Sequence, residues 1–220
     1  MAPFQTSGNR RLFLKATAAV TTGIVGLAVT SGSASGLPLH PMEDSWSIVG
    51  PREGFSPQVG TLYSMMNMMR HMILQPVKGL TVEQLDYLHD AHSNSIGAML
   101  LHLAATERYY QLNTFEDMKW GSWSDEIKRD WDVPMNLGQE GRNKIKGNNL
   151  DYYLNILKDT REKTIAELKK RDDAWLMKLD AEWGWNNHAK WFHVVEHESN
   201  HNGQIKWIKS RLPGAKPGND

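Results

Sequence analysis

The 220 residues are enough for one domain with a proper core and too few for a comfortable second. Lysine and arginine number 25 against 25 aspartates and glutamates, so no charge excess draws the chain to nucleic acid or an anionic surface. Cysteine is absent, which excludes disulfides, thiolate nucleophiles, iron–sulfur clusters and covalent haem, and leaves nitrogen and oxygen to hold any metal.

The balance hides an asymmetry. Residues 1–36 contain Arg10, Arg11 and Lys15 and no acid; without these three, 22 basic residues face 25 acidic ones, a net charge of −3. An apolar stretch from Ala16 to about Val29 follows, then small residues from Ser31 to Gly36. A basic start, an apolar middle and a small-residue end make a secretory leader, and the middle is too short for a secure membrane span of roughly 20 residues. The run Asn9-Arg10-Arg11-Leu12-Phe13-Leu14-Lys15 resembles the twin-arginine export motif, with Asn9 where serine or threonine is usual. That resemblance implies export of the folded protein by the twin-arginine machinery to the periplasm or the medium. The chain then divides into a leader over 1–36, an extension over 37–55, a folded body over 56–212 and a tail over 213–220.

Four segments of the body repeat apolar residues at three- and four-residue steps, the helical period. The first carries Leu62, Met65, Met66, Met69, Met72 and Ile73 and should end at Pro76. Its five methionines between 65 and 72 are adaptable core filling or soft copper ligands, and core filling is the reading preferred. Thr81 and Gln84 fit a capping box that opens a short helix. The second long helix should start at the N-cap Ser95 and run to about Asn113; the third should run from about Leu150 to Lys170, and the fourth from about Asn187 to Arg211 before Pro213 and Gly214. Between the second and third lies an insertion, about 114–149, with Trp120, Trp123 and Trp131. Those tryptophans pin the insertion to the body as a minor core, or line a ligand mouth. Strand alternation is missing, so the fold class is all-α, a four-helix bundle.

Nine histidines are present, and three sit at four-residue steps on the last helix: His193, His197 and His201. Each step turns the helix by only about 40°, so the imidazoles stack along one face, as in helical zinc sites. His102 lies in the apolar run Gly97-Ala98-Met99-Leu100-Leu101-His102-Leu103-Ala104-Ala105, where an unpartnered imidazole is costly to desolvate. A core histidine bonded to a neighbour would satisfy that position. A metal shared with two stacked histidines of another helix would satisfy it better.

The segments Ser95–Tyr109 and His193–Ile205, with Gly79-Leu80-Thr81-Val82-Glu83-Gln84-Leu85 ahead of them, resemble the signature helices of the DinB superfamily, in order over roughly 56–212. The resemblance implies a bundle whose divalent ion (zinc, nickel, iron or manganese) is held by His102, His197 and His201, with His193 one turn away and not a ligand. Asn202, where arginine is common, and the tryptophan-rich insertion depart from the pattern. Relatives of this kind include hydrolases and transferases that use small thiols, which makes a small molecule, such as a thiol, the expected partner; a homodimer is compatible with this reading.

Three imidazoles leave an ion positions for water, a carbonyl or a thiol sulfur. A metal-dependent hydrolase or thiol-dependent transferase follows; the alternative is a non-catalytic metal-binding or sensing bundle of the cell envelope. Glu196 and Glu198 flank His197, each turned about 100° from it, and read as solvated or as orienting a ligand. Arg161 falls on the inward stripe of the third long helix, where it binds an anionic substrate group or pairs with Glu107.

Overall fold

The structure, a computed structural model, describes residues 45–216; the leader expected over 1–36 lies outside them. The described residues form eight helices and no strand: α1 (Pro57–Val77), α2 (Val82–Leu85), α3 (Ile96–Thr114), α4 (Asp125–Asn136), α5 (Gly138–Lys144), α6 (Leu150–Leu168), α7 (Asp173–Met177) and α8 (Asn187–Lys209). The long helices α1, α3, α6 and α8 are the bundle. α8 packs against α1 and α3, and α6 against α3 and α1, which closes the ring of four. None of the described helices is long and apolar enough to cross a membrane.

Local sequence accounts for the starts. Ser95 accepts a hydrogen bond from the Ala98 amide, Asn149 from Tyr152 and Asn186 from Ala189, each satisfying a backbone donor that the first turn leaves free. The capping box at Thr81 and Gln84 is present. α1 is different: Ser56 makes no cap with its own side chain. Instead Asp173 of α7 accepts from the Gln58 and Val59 amides and from the Ser56 hydroxyl, so a distant carboxylate caps the helix. Pro76 sits inside the last turn of α1 rather than ending it, and the helix stops one residue later.

α3 is the central helix. Ile96, Leu100, Leu103, Ala104 and Leu112 are buried among α6, α8 and the insertion. Close packing fixes one residue type here: a Cβ on Gly97 would lie 2.7 Å from the Tyr153 hydroxyl, so α6 crosses α3 over bare backbone. Three of the five methionines of α1 belong to the core: Met66 is fully buried, and Met65 and Met69 pack on the same cluster.

The insertion over about 114–149 carries structure of its own, α4 and α5, with α4 packed on α3. Ser124 caps α4, and Asp125 and Glu126 occupy its first turn, where carboxylates favour the helix dipole. Trp123 is buried with Tyr109 and Leu112, and Trp120 and Trp131 pack around them. This is the minor core anticipated for the tryptophans.

Candidate metal centre

The antiparallel run of α3 against α8 sets the site. Thr106 faces His197, Tyr110 faces His193, and Trp191 faces Thr114, so the two helices read in opposite directions along one groove. In its middle, His102, His197 and His201 each offer a ring nitrogen, and these atoms all lie within 4.8 Å of one another, a group that could hold a metal ion. The Nε2 atoms of His102 and His197 are 2.9 Å apart. His193 is not part of this group, and its Nδ1 lies instead 3.0 Å from the Tyr110 hydroxyl.

The chemistry of this donor set fits a cation. His102 Nδ1 lies 2.9 Å from the Pro134 carbonyl, an oxygen that can only accept, so Nδ1 carries the proton and Nε2 presents a lone pair to the cluster. The carbonyl comes from α4, so the insertion positions the imidazole. His201 Nδ1 is buried without a hydrogen-bond partner. Burial and the neighbouring His201, His102 and His193 push His197 down to about 3, while burial, with His102, takes His201 to about 4. Burial lowers His102 as well, against the pull of the Pro134 and Met135 backbone. All three are therefore neutral near pH 7 and available as ligands.

Beside the histidines lies a buried charge network that ties the four bundle helices together. Arg70 of α1 donates through Nε to Glu198 Oε1 at 3.0 Å and through Nη2 to Glu198 at 2.7 Å and Glu107 at 2.9 Å. Arg161 of α6 donates to both oxygens of Glu107, at 2.7 and 3.1 Å, and to Glu198 at 2.9 Å. Thr164 adds a 2.7 Å bond to Glu107. Burial alone would raise the Glu107 carboxyl, but Arg161 and Arg70 together hold it below the ordinary carboxylate range. The Arg161–Glu107 pairing expected from the inward stripe is present. Glu198, read as solvated or orienting a ligand, is instead 2 % exposed and belongs to the network, because 100° of rotation from His197 points into the bundle and not to water. Arg70 carried a signal that was not used: it lies four residues after Met66 and three before Ile73, a charge on an apolar stripe.

An all-α bundle with three histidines converging from two of its long helices is a DinB-type scaffold. The profile of the mycothiol-S-transferase family matches residues 61–214, and the chain belongs to that family, within the DinB superfamily. Among solved structures, a crystal structure described as the conserved protein of locus from Enterococcus faecalis superposes with a TM-score of 0.55 at 12 % identity, over 70 % of this chain and 95 % of that one. At that identity the likeness is one of fold. No curated protein matches the chain.

Proposed function

We propose that the protein is a metal-dependent transferase that joins the sulfur of a small thiol, mycothiol or a chemical relative, to the carbon of an electrophile. His102, His197 and His201 are the ligands in this reading. The observation that carries it is the convergence of three neutral imidazoles, one with its tautomer fixed by Pro134; three protein ligands would leave an ion positions for a substrate. A divalent ion bound there supplies Lewis acidity, which makes a nearby thiol more acidic. The protein's own part is orientation. The Pro134 carbonyl aims His102, and the Arg70–Glu107–Arg161–Glu198 network holds the rotation of α8, and with it His197 and His201. In the transfer the thiol proton leaves to solvent, the sulfur electron pair forms the S–C bond, and the leaving group departs with the pair of the bond that breaks. The family assignment supports the thiol; the residues matched include all three histidines. We also assign residues 1–36 as a leader for twin-arginine export, on the basis of Arg10 and Arg11.

Metal content of purified variants tests the ligand set. His102→Ala, His197→Ala and His201→Ala should each lose most of the ion, whereas His193→Ala should keep it. If His193→Ala empties the site while His102→Ala leaves it full, the ligands are a stripe on α8 and the reading is wrong. Cobalt substitution tests the free positions: addition of a thiol should change the visible spectrum. An unchanged spectrum would mean a closed, structural ion that merely ties α3 to α8.

A further inference from the structure

Glycine in a helix interior costs about 1 kcal/mol relative to alanine, so each one should have a packing reason. Gly60 has one, since a Cβ there would lie 2.5 Å from the Arg52 backbone nitrogen, and Gly97 has one in Tyr153. Gly203, in the middle of α8, has none. Its backbone is ordinary helix, and an added Cβ would meet nothing within 4 Å. Gly203 is exposed and borders an open groove of about 520 Å³, bounded by Met99 on α3, by Asn200, Gln204 and Trp207 on α8, and by the 92–94 segment.

The position of this cavity gives it meaning. The three histidines do not line it, but they adjoin it in the chain: on α3 its Met99 precedes His102 by three residues, about 4.5 Å along the axis, and on α8 its lining runs from Asn200, next to His201, to Ile208. Its volume falls in the range of small-molecule sites, roughly 300–1,000 Å³. No lysine, arginine, aspartate or glutamate lines it. Its exposed surface is mainly apolar, from Met99, Trp207 and Ile208, and its polar groups come from the 92–94 segment and from the amides of Asn200 and Gln204. Apart from His92, a charged substrate would find no titratable partner here. An uncharged body with an apolar or aromatic surface and a polar group toward the histidines would be matched throughout.

We propose that this cavity is the acceptor subsite, which takes an uncharged, largely apolar carbon electrophile and holds its reacting carbon toward His201, and that Gly203 lacks a side chain to leave room for it. The assignment rests on the transferase reading for the word acceptor, but the subsite exists or fails as a binding site independently of transfer.

The test reads binding without turnover. The full-length protein is labelled at its methionine methyl groups with carbon-13, the Met99 signal is assigned by Met99→Leu, and the probe is 2,4-dinitrotoluene, an uncharged aromatic without a leaving group. The experiment is run with zinc and again after its removal by a chelator. The probe should shift the Met99 methyl signal in both states. Gly203→Leu should raise the probe's Kd by about tenfold or more while metal content and the thermal midpoint stay at or above wild type, because the leucine grows into open space. A Kd unchanged in Gly203→Leu, or shifts that leave Met99 untouched, would overturn the subsite. So would a Met99 shift seen with mycothiol and not with the aromatic probe, since the cavity would then hold the thiol. Probe binding that survives in a protein with no transferase activity would keep the subsite and discard the transfer chemistry.

Discussion

At the scale of single residues, the site depends on imidazoles kept neutral by burial. His197 and His201 have folded values of about 3 and about 4, below the ordinary histidine value of 6.5. Between those values and 6.5 the unfolded chain binds protons that the folded chain does not, so stability falls as pH drops through this window. Above 6.5 both states are neutral and the contribution is fully present. The metal-free protein should therefore show a melting temperature that is flat from about pH 7 to 8 and declines steadily from about pH 6.5 toward 4. His197→Gln with His201→Gln should flatten that decline. An undiminished slope in the double variant would place the acid sensitivity elsewhere. The metal-loaded protein should hold its stability better than the metal-free one near neutral pH, because an ion bound only by the folded state adds to folding free energy.

At the scale of elements, the sequence disclosed what periodicity and caps encode. The four long helices and the short α2 were legible from apolar spacing, from Ser95 and from the Thr81–Gln84 box. The three histidines were legible because spacing on one helix and an apolar setting on another are local facts. What was not legible depends on neighbours. Glu198 looked solvated because a helix wheel cannot show that α8 is packed against both α1 and α3. The cap of α1 comes from Asp173, over a hundred residues away in the chain, and no window of sequence contains it. Helices α4 and α5 are too short to show an apolar period like that of the four long ones, although Ser124 and the acids after it are ordinary start signals. The tertiary cap can be tested. Asp173→Ala removes the acceptor of two amide donors and the Ser56 hydroxyl, and it should lower the melting temperature and speed amide exchange at Gln58 and Val59 while α8 is unaffected. Unchanged exchange at those two amides would show that water replaces the carboxylate at no cost.

At the scale of the whole molecule, the Arg70–Glu107–Arg161–Glu198 network touches all four bundle helices. Two cations and two anions balance, and Arg70 and Arg161 also donate to the Leu157 and Met66 carbonyls of neighbouring helices, at 2.9 and 3.0 Å. Such a network adds little over a well-packed apolar core, but losing one member strands its partners in a dry interior. The partners differ in how much water could rescue them: Glu107 is 0 % exposed, while Arg70 retains 9 %. Arg161→Met should therefore cost about 3–5 kcal/mol in urea unfolding, since it leaves Glu107 and Glu198 to share one guanidinium. Arg70→Met should cost less, because it takes one bond from the fully buried Glu107 where Arg161→Met takes two. A change that neutralises both sides at once, Arg161→Met with Glu107→Gln, should recover part of the loss, as it removes a charge of each sign. If the double variant is no more stable than Arg161→Met alone, the cost comes from lost packing of the arginine stem rather than from a stranded carboxylate. Metal content separates structure from site: with α8 no longer held in rotation, Arg161→Met should bind the ion more weakly even in buffer where it remains folded.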